Sequence, residues 1–199
     1  MLILIEGMDN TGKTTLAHNI IASLPHFIYH HNEKPASRED AFANIVSLIE
    51  RASNKDIVCD RCCVIGEEVY GTVLRGKSLF KPYETNILMK MLSTVTIMNI
   101  LCKPPIQAVI ESMGERAQME GVAENAYKLY DTYVSFYHNF WKTAVDNVEI
   151  WNYRSPNKDE KFKFLIKSIQ TQQVLYQAAR RFRLPVSLPS AIDMIHWEI

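Results

Sequence analysis

The segment "GMDNTGKT", residues 7–14, has the residue types and the spacing of a phosphate-binding loop. Gly7 and Gly12 frame it, and Lys13 and Thr14 follow at once, which satisfies the pattern G-x-x-x-x-G-K-[ST]. Glycines let the backbone turn its amide groups inward around phosphate oxygens. We expect Lys13 to bridge the β- and γ-phosphates of a nucleotide and Thr14 to ligate Mg²⁺.

The sequence places this loop between a strand and a helix, which is the context that the motif needs. The apolar run "LILIE" (2–6) precedes it, and a helical pattern begins near Lys13. The amino end of that helix adds the positive end of its dipole to the phosphate site. The other loop positions that we expect to contact the nucleotide are Asn10, Thr11 and Thr15.

A second pair with chemical potential is Asp60-Arg61, at the end of the apolar run "DIVCD" (56–60). A carboxylate at the carboxyl end of a strand beside the loop can hold a Mg²⁺-bound water, so we expect Asp60 to be the second metal contact. The guanidinium of Arg61 suits an anionic acceptor in the same crevice. Lys13, Asp60 and Arg61 are therefore candidate catalytic residues.

The elements that must position these residues follow from the alternation of apolar runs and helical patterns. Short apolar runs bounded by polar residues are typical of strands covered on both faces. The pattern predicts an α/β fold, a doubly wound five-stranded parallel sheet with helices on both faces. The predicted strands are 2–6, 26–30, 56–60, 94–102 and 148–153, and the predicted helices are 13–24, 38–52, 84–93, 105–113, 123–145 and 158–180.

Length and charge narrow the class of protein. The 199 residues predict one domain over 1–180, followed by a tail at 181–199 whose role the sequence does not reveal. The 22 basic and 22 acidic residues give a net charge of zero, which counts against extensive contact with nucleic acid.

No stretch approaches the roughly 18 apolar residues of a membrane span. The first apolar run is interrupted by Glu6 and Asp9, so we expect no signal peptide. The "CDRC" segment has no second pair at zinc-ligand spacing, which favours reduced thiols and a cytoplasmic protein.

The segment "LIEGMDNTGKTTL" resembles the E-G-x-D-x-x-G-K-T-T loop of thymidylate kinases, and the "DR" that closes the third predicted strand is similar to their Asp-Arg motif. Deoxynucleoside kinases have a related motif. The resemblance covers about residues 2–170. Over this span the chain looks like the shorter nucleotide kinases of bacteriophages. It implies a P-loop kinase that passes the γ-phosphate of ATP to a deoxynucleoside 5′-monophosphate with Mg²⁺, in the host cytoplasm if the protein is viral.

The resemblance also implies roles for individual positions. Asp9 matches the loop carboxylate near the acceptor sugar, and Asp60 and Arg61 match the pair that meets magnesium water and acceptor phosphate. The segment "SMGERAQMEGV" (112–122) lies where that family has its mobile lid, and Arg116 is its only arginine. We expect Arg116 to stabilise the transferring charge. The loop "NYRSPN" (152–157) occupies the place that passes the adenine of ATP, where Arg154 would stack.

The identity of the acceptor base stays open. The segment "NEKPAS" (32–37) stands where thymidylate kinases often show Arg-Glu-Pro, and it departs from that pattern. Tyr70 and Arg75, in "VYGTVLRG", are placed to reach an acceptor base by stacking or hydrogen bonding.

Two alternatives remain. Glu67 and Glu68, just past Asp60, offer a general base for phosphorylating a hydroxyl of a nucleoside or of a modified base in DNA, such as 5-hydroxymethyluracil. A GTPase-type switch would need an N-K-x-D motif, and the "NK" pairs at Asn54 and Asn157 lie in the wrong context. The expected partners are ATP and a small nucleotide; nucleic acid is not favoured, and a homodimer is an open alternative to a monomer.

Overall fold

The computed structural model describes residues 1–32, 35–114, 118–138 and 148–182. Its elements run β1 (Leu2–Glu6), α1 (Lys13–Ser23), β2 (Ile28–His31), α2 (Arg38–Asn54), β3 (Ile57–Asp60), α3 (Cys63–Gly66), a π-helical turn (Glu67–Gly71), α4 (Thr72–Arg75), α5 (Pro82–Ser93), β4 (Thr96–Cys102), α6 (Ile106–Met113), α7 (Ala126–Phe136), β5 (Val148–Trp151) and α8 (Lys158–Phe182).

The five strands form one parallel sheet in the order β2-β3-β1-β4-β5. β1 lies at the centre between β3 and β4, with Leu4 opposite Cys59 on one side and Asn99 on the other. All five residues of β1 are buried because the strand is covered on both faces. The carboxyl ends of β1 and β3 therefore meet at one edge of the sheet, where ligands bind in open α/β proteins. The predicted fold class is confirmed.

Alternate residues of β1 build the two halves of the core. Leu2 and Leu4 face a cluster that includes residues of α2, α5 and α7. Ile3 and Ile5 face a second cluster formed with residues of α1 and α8. This alternation follows from the two-residue period of a strand, and it fixes the direction in which the residues after β1 leave the sheet.

Several predicted boundaries were wrong. β2 begins at Ile28, not at residue 26, because its pairing with β3 starts at Ile28 opposite Ile57. The helix predicted for 123–145 begins at Ala126, and residues 139–147 lie outside the described residues. The helical stretch from Cys63 to Arg75 was not predicted. The domain boundary at residue 180 stays a prediction, and the tail from 183 lies outside the described residues. No helix in the described ranges combines the length and the apolar character needed to cross a membrane.

Candidate functional site

The loop after β1 has positive φ angles of the kind that its glycines permit. Gly7 and Gly12 have φ of 140° and 85°, and Asn10 between them has φ of 63°. A Cβ on Gly7 would lie 2.6 Å from the carbonyl oxygen of Cys102, so no larger residue fits there without a shift. The hydroxyl of Thr11 donates to the carbonyl of Met8 at 2.7 Å and closes the loop. The loop thus leads directly into α1 at Lys13.

Lys13 lies under this loop. Its Nζ donates to the carbonyl oxygen of Met8 at 2.6 Å, and the side chain is buried. Burial lowers the pKa of Lys13, and the positive charge of Arg61 lowers it further. A phosphate group that replaced the Met8 carbonyl would supply the opposite charge that this ammonium needs.

Asp60 connects β3 to the start of α1 and to β2. Its Oδ2 accepts hydrogen bonds from the Thr14 hydroxyl at 2.6 Å and from the Tyr29 hydroxyl at 3.0 Å, and Nδ1 of His31 lies 3.5 Å away. Its Oδ1 is buried and has no hydrogen-bond partner among the described residues. Burial and the nearby charge of Asp60 raise the pKa of Tyr29 to about 12, so that Tyr29 stays a hydrogen-bond donor.

Arg61 lies between two cavities at the sheet edge. The first, called the loop-side cavity, has a volume of about 330 Å³, and the second, called the helix-side cavity, about 670 Å³. The loop-side cavity is lined by Asp9, Asn10, Gly12, Lys13, Thr14, Thr15, Arg61, Gln118 and Met119. The helix-side cavity is lined by Asn32, Pro35, Arg61, Cys62, Cys63, Gly66, Glu67, Tyr70, Leu74, Arg75, Met119, Glu120, Gly121, Asn125 and Tyr133. Arg61 borders both cavities, and its Nη2 pairs with Oδ1 of Asp9.

Tyr70 and Arg75, the two side chains predicted to reach the acceptor base, line the helix-side cavity. The hydroxyl of Tyr70 accepts a hydrogen bond from the backbone N–H of Asp9 at 3.0 Å, which ties α3–α4 to the loop. Arg75 pairs with Oε1 of Glu67, which also accepts the N–H of Leu79 at 2.9 Å. Arg75 and Glu67 thus form a charged pair at the wall of the helix-side cavity.

The loop after β5 lies against the phosphate-binding loop. A Cβ on Gly12 would lie 3.1 Å from the ring of Tyr153. Arg154 is exposed, and its guanidinium carbon lies 5.4 Å from the centroid of that ring. Arg116, the predicted lid cation, lies outside the described residues; Gln118, close behind it in sequence, accepts a hydrogen bond from Nδ2 of Asn10 at 3.1 Å.

Three residues of this site were not predicted from the sequence: Tyr29, Glu6 and Tyr153. Tyr29 and Tyr153 lie in or beside predicted strands, where an aromatic residue is expected for packing alone. Glu6 is the stronger signal, because a carboxylate that ends a buried central strand has to find a partner. Its Oε1 accepts the backbone N–H of Cys62, the residue after Arg61.

The pKa of buried Glu6 can be tested through the pH dependence of the protein's stability. Burial raises its pKa from 4.5 to about 8, so the folded state holds the proton more tightly than the unfolded state. The contribution of protonated Glu6 to the free energy of unfolding is therefore fully present below about pH 4.5 and is lost as the pH rises towards 8. We expect Glu6→Gln to gain stability relative to the wild type between pH 5.5 and pH 8.5, measured as the free energy of unfolding in urea.

The matched control for that experiment is Glu84→Gln. Hydrogen bonding to Arg38 lowers the pKa of Glu84 to about 2, so its contribution is present above about pH 4.5 and is lost only as the pH falls towards 2. The difference in free energy of unfolding between Glu84→Gln and the wild type should therefore stay constant between pH 5.5 and pH 8.5. An equally constant difference for Glu6→Gln would contradict the raised pKa of Glu6.

No protein-family model matches the chain, and no curated protein matches its sequence. Among solved structures, the YorR protein of Bacillus subtilis, crystallised with phosphorylated GDP, is 15% identical with a TM-score of 0.69, and the match covers 87% of this chain and 98% of that one. Thymidylate kinase from Candida albicans is 14% identical with a TM-score of 0.61, covering 86% of this chain and 92% of that one. Deoxyadenosine kinase from M. mycoides with bound dCTP is 15% identical with a TM-score of 0.54, covering 86% and 100%. The chain therefore shares the fold of these proteins.

Proposed function

We propose that this protein is a kinase that transfers the γ-phosphate of ATP to a deoxynucleoside 5′-monophosphate. The observation that carries the proposal is the position of Arg61 on the border between two cavities, one lined by the phosphate-binding loop and one by α3–α4. Phosphoryl transfer requires that donor and acceptor be aligned and that their charges be neutralised, and a cation between two cavities can contact a phosphate in each of them. The nucleotides bound in the YorR protein and in deoxyadenosine kinase support the same assignment.

Mg²⁺ fits the residues at the start of α1. The hydroxyl of Thr14 and the carboxylate of Asp60 lie within 2.6 Å of each other, and the buried Oδ1 of Asp60 has no partner among the described residues. Hydroxyl and carboxylate oxygens are the ligands that Mg²⁺ prefers, directly or through water. When bound, the ion would neutralise charge on the donor phosphates. Thr14 and Asp60 would hold it, and Tyr29 would hold Asp60.

The protein residues then align and neutralise two polyanions. Lys13 and the amino end of α1 bind the donor phosphates, and Arg61 binds the acceptor phosphate once it leaves Asp9. Asp9 is then free to bind the acceptor sugar. A phosphate oxygen is already anionic at neutral pH, so the attack requires no general base. We propose that Arg116 of the lid supplies the remaining positive charge and that Arg154 stacks on adenine.

The proposal is tested by incubating the protein with ATP and Mg²⁺ in three separate reactions, with a pool of deoxynucleoside monophosphates, with a pool of nucleosides, and with duplex DNA that contains 5-hydroxymethyluracil. Mass spectrometry of the products identifies the acceptor. We expect a diphosphate product in the first reaction alone. Phosphate transfer only to nucleosides or only to DNA would replace the proposal with its rival, and no transfer in any reaction would refute a kinase of this class.

The rival acceptor, a hydroxyl group, is favoured by one observation. Glu67 lines the helix-side cavity, where a carboxylate could take the proton of a hydroxyl. In the structure that carboxylate is already bound by Arg75 and by the N–H of Leu79. We therefore retain the monophosphate as the first choice, because Glu67 holds Arg75 in place there.

Glu67→Gln and Glu68→Gln separate the two acceptors. For a monophosphate acceptor we expect kcat to change by less than about threefold in both variants, whereas loss of a general base costs about 10²- to 10⁴-fold. Glu68 is the matched control, since its Oε1 accepts the hydroxyls of Ser78 and Thr85 at 2.7 and 2.6 Å. A loss of that size in Glu67→Gln alone, measured as kcat with saturating ATP, would favour the hydroxyl acceptor.

A further inference from the structure

The two peptide groups that flank Arg61 are held on all sides by hydrogen bonds. The N–H of Arg61 donates to the carbonyl of Ile5 at 3.1 Å. The carbonyl of Arg61 accepts from Nδ2 of Asn32 at 3.0 Å and from the thiol of Cys59 at 2.9 Å. The next N–H, of Cys62, donates to Oε1 of Glu6. The backbone of Arg61 is therefore fixed from β1, β3 and the end of β2.

This fixation matters because Arg61 has φ of 76°, in the left-handed region. That region is unfavourable for residues with a Cβ, and such a conformation persists only where the surroundings impose it. In that conformation β3 ends at Asp60 and the guanidinium of Arg61 lies against Asp9, on the border of the two cavities.

Glu6 is placed to act on Arg61 without contacting either ligand. It ends β1, its side chain is 5% exposed, and it lines neither the loop-side nor the helix-side cavity. It lines instead a separate cavity of about 10 Å³ together with Asn99 and Tyr133. Among the described residues, its Oε1 accepts the N–H of Cys62 and its Oε2 has no hydrogen-bond partner, so Glu6 acts on the site through the peptide after Arg61.

We propose that Glu6 is a positioning residue: by accepting the N–H of Cys62 it holds Arg61 in the left-handed turn that presents its guanidinium to both cavities. The inference rests on the proposed role of Arg61 at the acceptor phosphate. What Glu6 supplies is a hydrogen-bond acceptor and not a negative charge. Glutamine offers the same carbonyl oxygen and should substitute for it, whereas leucine fills a similar volume without an acceptor.

The experiment compares Glu6→Leu with Glu6→Gln in steady-state kinetics and in crystal structures of both variants. We expect Glu6→Leu to raise KM for the acceptor about 10- to 100-fold while the Kd for ATP changes less than about threefold, since misplacing a positioned group by about 1 Å can cost about 10²-fold. In its crystal structure φ of Arg61 should leave the left-handed region. Glu6→Gln should keep both the KM and the φ of the wild type.

Glu84→Leu is the matched control, because Glu84 is also buried and its Oε2 accepts the backbone N–H of Lys81 at 2.9 Å. A rise in acceptor KM as large as that of Glu6→Leu would show a general loss of stability and would overturn the proposal. An unchanged φ of Arg61 in Glu6→Leu would also overturn it, as would a Glu6→Gln variant that fails like Glu6→Leu, since charge would then be what matters.

Two arms of the experiment do not depend on kinase activity. The φ of Arg61 in the crystals tests the positioning even if the wild type phosphorylates no acceptor, so failure of the proposed function and failure of this inference are distinguishable. Amide hydrogen exchange covers the case in which Glu6→Leu does not fold. The N–H of Cys62 should be strongly protected in the wild type and in Glu6→Gln, and rapid exchange in the wild type would overturn the proposal.

Discussion

Lys13→Ala is expected to lower kcat for phosphate transfer by about 10³-fold, since removing one positioned donor from a developing charge costs about 10²- to 10³-fold and Lys13 also carries a full charge. The ammonium lies under the loop, and the carbonyl of Met8 is its hydrogen-bond acceptor at 2.6 Å. No other lysine lines the loop-side cavity in the part of the chain that the structure describes. The measurement is single-turnover transfer with saturating ATP, Mg²⁺ and acceptor.

The fold should survive this change. Burial disfavours the charged form of Lys13, so removal of the charge relieves a cost and the melting temperature should stay equal or rise. Lys90→Ala, an exposed lysine of α5, is the matched control and should keep full activity. Near-full turnover in Lys13→Ala, with a normal melting curve, would refute the phosphate-binding assignment of the loop.

Asp60→Asn is expected to weaken Mg²⁺ binding and to lower kcat/KM for MgATP by about 10- to 100-fold. The change removes a full negative charge next to the Thr14 hydroxyl and leaves a side chain of the same size. The amide can still accept the Tyr29 hydroxyl, which lies 3.0 Å from the carboxylate in the wild type. The loss should therefore appear in metal binding and not in folding.

Direct binding separates the metal from the chemistry. We expect Mn²⁺ bound with ATP, followed by electron paramagnetic resonance, to show a higher dissociation constant in Asp60→Asn than in the wild type. Asp56→Asn makes the same chemical change at the other end of β3, where Asp56 pairs with the amino terminus, and it should leave Mn²⁺ affinity unchanged. Equal Mn²⁺ affinity in Asp60→Asn and the wild type would remove Asp60 from the metal site.

The helical stretch from Cys63 to Arg75 shows why part of the fold escaped prediction. Its sequence contains Gly66 and Gly71, which disfavour helices in isolation. In the structure a Cβ on Gly71 would lie 2.6 Å from Oε1 of Glu67 and 2.8 Å from Nη2 of Arg75, so glycine leaves room for the Glu67–Arg75 pair as it is placed here. The side-chain packing around this pair thus accommodates a residue that helix propensity penalises.

What the sequence by itself determined is the chemistry of contiguous segments. The loop motif with Lys13 and Thr14 and the Asp60-Arg61 pair at the end of β3 are local patterns. The alternation of apolar runs with helical patterns predicts the parallel sheet, because backbone angles and burial on both faces act within a few residues. These signals do not depend on which distant segment lies opposite.

What only the tertiary structure decided is which distant residues support that chemistry. Tyr29 meets Asp60 across 31 positions and Glu6 meets the N–H of Cys62 across 56, and each contact exists because the strand order places β2, β3 and β1 side by side. Neither a tyrosine within a strand nor a glutamate at the end of a strand indicates by itself which residue it will contact. Hydrogen bonds of this kind are set by strand register, which emerges only when the whole sheet buries its two faces.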